Sequence, residues 1–415
     1  MDSRFSYGRI FLLGFGFFGV SVLNALYNSY VPNFLESKYG LPTNIIGIFM
    51  ALDNVAALLI QPPVGAWSDR VRTSIGRRMP FILVGVPISA IAFGLIPIAP
   101  ILPVFVACTS SFFLAMAFWR TPVVALMPDI TPSHKRSQAN GIINLMGGVG
   151  GIIAFLAGSS LYKINPALPF WVGSGLVLIA TIMLFIFIKE PKDYEETEKQ
   201  PGMIESLQEV LNDEDKSLLR ILLAIFFWFL GFSAIEAFFT LYAKNHLGML
   251  VEDGSRLLGH LSLFFVLFAV PSGLVGGKIG RRLTILSGIF LLATLIFGIF
   301  ITPVPMLTRV LTKLPVLGEI PVISIYLMLA GIAWALININ SLPMVVDMTG
   351  AARVGMFTGL YYLFSTLSAI TGPIANGALI RLTGNNYNIL MLLAPITLAV
   401  AFVLMLGVKR GEANS

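Results

Sequence analysis

Apolar residues in this chain of 415 come in long blocks, separated by short joints that carry glycine, proline and arginine. About 20 consecutive apolar residues cross the hydrocarbon of a bilayer as a helix. Twelve blocks are of that scale: 9–33, 43–66, 79–98, 102–128, 138–162, 167–189, 218–244, 256–277, 283–303, 319–347, 354–380 and 387–408. Hydrocarbon offers backbone N–H and C=O groups no partners, so each block is predicted to be a helix that satisfies its own. The expected fold class is an all-α membrane protein.

Hydrophobic residues make up 56% of the chain and charged residues 12%, about half the charged share of a soluble domain. The mean hydropathy is +0.86. The net charge of +6 is spread over the joints and is not a nucleic-acid footprint. Of 27 Lys and Arg, 19 fall on the side of the two termini, 7 on the other, and Arg120 lies within a span. Positive charge stays on the cytoplasmic side, so both termini are expected there, in a cell membrane. The apolar run after Met1–Arg9 is too long for a signal peptide and lacks a small-x-small cleavage site, so it reads as the first span. The single Cys108 excludes an intramolecular disulfide, and three scattered histidines make no metal-ligand pattern. No cofactor is expected. No nucleophile–base pair, metal set or cofactor motif points to an enzyme.

The one long polar stretch is Glu190–Lys216, with 10 of the 21 acidic residues. It reads as a solvated linker, and its last part, MIESLQEVLNDEDKSLL, is also compatible with an amphipathic surface helix. The domains expected are 1–189, a linker at 190–217, and 218–415. Across the linker the sequence repeats weakly. Gly76-Arg77-Arg78 returns as Gly280-Arg281-Arg282, and Asp129 and Gly141 return as Asp347 and Gly359. The second half carries extra residues at TPVPMLTRVLTKLPVLGEIP, read as an apolar, proline-rich loop on the outer face.

A six-plus-six parallel repeat with basic joints resembles the major facilitator superfamily, in which substrate binds near the midplane between the halves. Gly65-x-x-x-Asp69-Arg70, five residues, then Gly76-Arg77-Arg78-x-Pro80 is similar to the loop after the second span in the sucrose-transporter (solute carrier 45) group. It also resembles the glycoside–pentoside–hexuronide cation symporters. RTPVVALMPDITP, from Arg120, resembles the end of the fourth span in the sucrose-transporter group. The resemblance implies transport of a sugar or glycoside by alternating access. It also implies gating roles for Asp69, Arg70, Gly76, Arg77, Arg78 and, in the second half, Arg281 and Arg282. Asp129 and Asp347, at cytoplasmic helix ends, are expected to gate or cap.

One residue stands out inside MALDNVAALLIQPPVGAWSDR. Asp53 is a carboxylate within an apolar span, and such residues usually face a bundle interior or a water-filled cavity. The melibiose-type sodium symporters carry two aspartates here, which the resemblance places at Ala57 and Gln61; both acids are missing. The mid-fourth-span aspartate of plant sucrose transporters is also missing from SFFLAMAFWR. Asp53 is therefore the expected proton-coupling acid. Desolvation and a nearby cation move a carboxylate's proton affinity in opposite directions, and Arg120 is the candidate partner, or else a sugar ligand. Glu236, on a stripe with Ser233 and Thr240, is the second candidate.

Polar side chains at helical spacing suggest a cavity wall: Asn24, Tyr27 and Asn28; Asn54 and Gln61; Asn140 and Asn144; Trp334, Asn338, Asn340 and Ser341; and Tyr361. Amides, hydroxyls and aromatic rings suit a polyhydroxyl solute, while polar residues also join helices in membranes. Gly14-x-Gly16-x-x-Gly19 matches a dinucleotide fingerprint, but it lies inside a span with no strand before it. GGVGG at 147–151 lacks the Lys-Ser/Thr of a phosphate loop. The expectation is a monomer in the lipid bilayer that carries a sugar or glycoside with a proton. The alternatives are exchange or efflux of an organic cation, and lipid handling.

Overall fold

A computed structural model describes residues 7–131, 136–190, 203–349 and 353–412. The first residues of the basic amino terminus and the linker stretch 191–202 lie outside the described residues. The apolar blocks become helices α1 (Tyr7–Ser37), α2 (Thr43–Arg70), α3 (Met79–Leu95), α4 (Leu102–Ile130), α5 (Arg136–Ile164) and α6 (Leu168–Phe187). After the linker come α7 (Met203–Asn212), α8 (Ser217–Asn245), α9 (Val251–Ile279) and α10 (Arg281–Ile301). The last are α11 (Val304–Leu307), α12 (Val322–Val346), α13 (Val354–Leu382) and α14 (Ile389–Leu406).

Among the described residues eleven of these helices are long and apolar enough to cross a membrane. The twelfth block, α3, is apolar but has only 17 residues, about 26 Å at 1.5 Å per residue. It ends at Leu95 rather than 98, where Ile96–Pro100 turns toward α4. The amphipathic reading of the linker's last part is realised as α7, whose Val210 is buried. The loop expected at 302–321 instead contains α11 and a two-stranded antiparallel ribbon, β1 (Val310–Leu314) with β2 (Gly318–Pro321).

The helices group into two compact units. One comprises 1–40 and 52–196. Here small residues let helices approach closely: a Cβ on Gly150 of α5 would stand 2.6 Å from the Phe18 carbonyl of α1. The other comprises 41–51 and 197–415, so the first turns of α2 pack in the second unit. There Thr43 Oγ1 donates to the Gly377 carbonyl at 2.9 Å, and a Cβ on Gly47 would meet the Pro373 carbonyl at 2.3 Å. At the entry to α8 the Ser217 amide donates to Asp215 Oδ1, and Arg410 pairs with the same carboxylate at 2.7 Å. The Ser217 hydrogen bonds, then Arg410, hold the Asp215 carboxyl below the usual carboxylate range.

Candidate functional site

In the first unit Asp53 sits half-buried on α2. Its Oδ1 accepts from both the backbone N–H and the side-chain amide of Asn54, each at 2.7 Å. Asn54 is thus engaged by the acid, and is itself half-buried. Tyr27 of α1 is fully buried, stacked on Phe112 at 5.9 Å and edge-on to Phe113 at 5.0 Å. Its hydroxyl has no hydrogen-bond partner among the described residues, and it lies close enough to Asp53 for the carboxylate's charge to act on it. An unmade hydrogen bond at a buried donor costs about 1–3 kcal/mol, so this hydroxyl is poised to take an acceptor. Asn24, Asn28, Gln61 and Arg120 are half-buried in the same unit. Asn144 donates to Asn140 one turn earlier, at 2.9 Å to its carbonyl, and both are exposed on α5.

In the second unit the candidate residues separate into two kinds. Asn340 is buried and donates to the carbonyls of Ser272 on α9 and Leu336 on its own helix. It packs on Gly276, where any Cβ would overlap the amide. It is a joint between α9 and α12. Ser341 donates to the Asn338 carbonyl and shares a 3.0 Å hydrogen bond with Tyr361, tying α12 to α13. The second kind is aromatic. Phe232 lies parallel to Trp334 at 3.9 Å, and Phe229 meets Trp334 and Tyr361 edge-on at 5.2 and 6.4 Å. Glu236, half-buried, follows Phe232 by one turn and so projects from the same face of α8. The rings of Phe112, Phe113, Phe229 and Phe232 were not singled out by the sequence, because phenylalanine is ordinary filling in an apolar span.

The basic joint of the first unit is a closed ionic cluster. Arg77 reaches Asp129 at 2.5 Å, and Arg78 reaches the same carboxylate at 2.9 Å and also bonds Asp69 and Ser68. The Arg77 and Arg78 side chains are only 10% and 5% exposed, and that of Asp129 9%. Arg70 is exposed. In the second unit Arg281 pairs with Asp347, and Arg282 donates to the carbonyls of Met405 and Leu406 at the end of α14. Asp69 has no counterpart in GLVGGKIGRR, so the second cluster is thinner.

Two carboxylates were also missed by the sequence reading. Glu190, after α6, accepts hydrogen bonds from the backbone N–H groups of Arg77, Arg78 and Met79 at 2.7–3.1 Å. Glu412, after α14, does the same for Arg281 and Arg282. Each carboxylate caps the positive end of the third transmembrane helix of its unit, where unbonded N–H groups and the helix dipole favour an anion. Gly76 makes this possible at φ +114°, since a Cβ would lie 2.4 Å from the Glu190 carboxyl. The sequence signal was an acid shortly after the sixth and twelfth spans, visible only once the repeat is extended to those ends. Glu190→Ala should destabilise the first unit by about 2 kcal/mol, the scale of charged hydrogen bonds at a cap. Glu412→Ala, with its side chain exposed, should cost less than half of that; denaturation in detergent checks the ranking.

Several known proteins are similar to the chain. It is 24% identical over 257 residues to multidrug resistance protein 2 of Bacillus subtilis, covering 61% of this chain and 62% of that one. It is 21% identical over 262 residues to the quinolone resistance protein NorA of Staphylococcus aureus, covering 63% and 65%. It is 27% identical over 143 residues to the sucrose transport protein SUT3 of Oryza sativa, covering 29% and 28%. The matches thus span less than two thirds of these relatives' own lengths. In fold it is similar to a bacterial homologue of the human lysosomal transporter Spinster, at a TM-score of 0.76 with 14% identity, covering 96% and 95%. The nucleoside transporter NupG gives 0.73 and 14%, covering 96% and 100%. An acid inside the second apolar helix, capped basic joints on both repeats and this helical fold agree with the family model that matches residues 13–314, and the chain belongs to the major facilitator superfamily of membrane transporters.

Proposed function

We propose that this chain is a proton-coupled symporter of a sugar or glycoside, working as a monomer in a cell membrane with both termini in the cytoplasm. The observation that carries the reading is Asp53 inside α2, with the buried Tyr27 hydroxyl, unbonded among the described residues, within range of its charge. A carboxylate at that depth can load and release a proton. A buried hydroxyl with no hydrogen-bond partner is a donor for a solute oxygen. Asn24, Asn28, Gln61 and Arg120 supply further polar contacts. The joint motif and the similarity to SUT3 support the same substrate class. Gating by Asp69, Arg77, Arg78 and Asp129 in one unit and Arg281 and Asp347 in the other completes the cycle.

A second reading has its own observation. Glu236 one turn from Phe232, whose ring stacks on Trp334, is an arrangement that holds an organic cation by charge and by the ring faces. The similarity to multidrug and quinolone resistance proteins supports it. Purified protein in sodium-free liposomes with an internal pH dye separates the two. Symport predicts internal acidification when one of a panel of mono- and disaccharides is added outside. Silence for every sugar, with alkalinisation on adding an amine, would establish exchange of a cation and remove the sugar reading.

A further inference from the structure

The ribbon between α10 and α12 plays no part in the reading above. It follows α10, which ends at Ile301, forms β1 and β2, and leads into α12 at Val322, whose N–H bonds the Arg309 carbonyl at 3.0 Å. One side is firmly seated: Leu307 and Ile320 are buried. Fully buried His260 of α9 grips the tip, with Nε2 3.0 Å from the Leu317 carbonyl and Nδ1 3.1 Å from the Ser324 hydroxyl. A carbonyl only accepts, so Nε2 carries the proton and Nδ1 accepts from Ser324. Arg256, ion-paired with Asp253 at 2.9 Å, lies along Gly318, which at φ +75° leaves room for it.

The strand β1 is exposed along its whole length. Val316 at the turn is 80% exposed, Leu311 is 54% exposed, and Met306, Val310 and Leu314 are exposed with them. Arg309 and Lys313 project from the same segment; Lys313 meets Glu319 at 3.6 Å with both side chains well exposed. Water is a poor partner for such a surface held rigid. A ribbon strung between two membrane-crossing helices lies at the level of the lipid headgroups. There, apolar side chains beside cations bind a bilayer surface, with the cations on anionic headgroups.

We propose that this ribbon is a membrane-interface anchor: Leu311, Leu314 and Val316 insert among the headgroups, and Arg309 and Lys313 bind lipid phosphates. His260 and Arg256 fix the tip at that depth, so the ends of α10 and α12 are pinned to the bilayer surface.

The test places a single fluorophore at Val316→Cys, in full-length Cys108→Ser protein, in nanodiscs holding one copy each. Asn386→Cys, in the exposed polar joint between α13 and α14, is the reference for a joint at the same level without apolar side chains to insert; Leu311→Cys repeats the reading from the strand. Lipid labelled with a nitroxide near the headgroup should quench residue 316 at least threefold more than residue 386, and iodide should do the reverse. Replacing a third of the phosphatidylcholine with phosphatidylglycerol should strengthen the lipid quenching. Arg309→Gln with Lys313→Gln should cancel that gain, since each cation changes binding to an anionic surface about fivefold. Equal iodide quenching at 316 and 386 with no lipid quenching overturns the anchor. So does a label shielded only in liposomes carrying many copies, which would make a second copy the occupant.

Discussion

Asp53→Asn is expected to abolish uphill accumulation while leaving exchange of preloaded substrate across the membrane. The amide keeps the shape and the hydrogen bonds from Asn54 but cannot carry a proton. One charge moving through 100 mV supplies about 2.3 kcal/mol, which corresponds to a concentration ratio of about fifty. The variant should therefore fall from a ratio of that order to one. Counterflow, which needs only binding and the conformational change, should persist within a few-fold. Loss of both in a folded variant would make Asp53 a ligand or a strut. Tyr27→Phe removes only the buried hydroxyl that lacks a hydrogen-bond partner among the described residues. It should weaken substrate binding in counterflow more than it weakens coupling, and unchanged binding would remove that hydroxyl from the site.

The second large effect is structural. Asp129→Asn should destabilise the protein by about 3–5 kcal/mol, because it leaves Arg77 and Arg78 buried without their shared carboxylate. Asp347→Asn breaks the matching pair in the second unit. There the side chains of Arg281 and Asp347 are 19% and 40% exposed, and pairs open to water contribute about 0–1 kcal/mol. Denaturation in detergent should rank the two variants in that order. Replacing Asp129, Arg77 and Arg78 together with neutral residues of similar size should recover much of the loss, since no charge is then stranded. Equal effects of Asp129→Asn and Asp347→Asn would mean that the first cluster is as well hydrated as the second.

The helices, the repeat and the two basic joints were legible in the sequence because each rests on local information. A run of apolar residues spans a bilayer whatever its neighbours do, and in hydrocarbon it has no alternative to the helix. The place of Asp53 within the second helix followed from counting along the chain. Partners did not follow. Glu190 reaches Arg77 across 113 positions and Glu412 reaches Arg281 across 131, and composition at either end does not announce the pairing. Asn340 and Asn54 carry the same amide on similar stretches, yet one joins α9 to α12 and the other bonds an acid. Which of these an asparagine does depends on what the next helix presents. The ribbon at 310–321 read as a loop because strand pairing is a bond between segments, not a property of one. The sequence by itself determined that this chain is a membrane protein of twelve apolar segments with a carboxylate inside the second. Only tertiary packing decided that the Tyr27 hydroxyl is buried within range of the charge of Asp53, that rings of α8 and α12 stack one turn from Glu236, and that each basic joint closes on a distant glutamate. Hydrophobicity acts on each residue alone, whereas hydrogen bonds and ring contacts need two groups brought together.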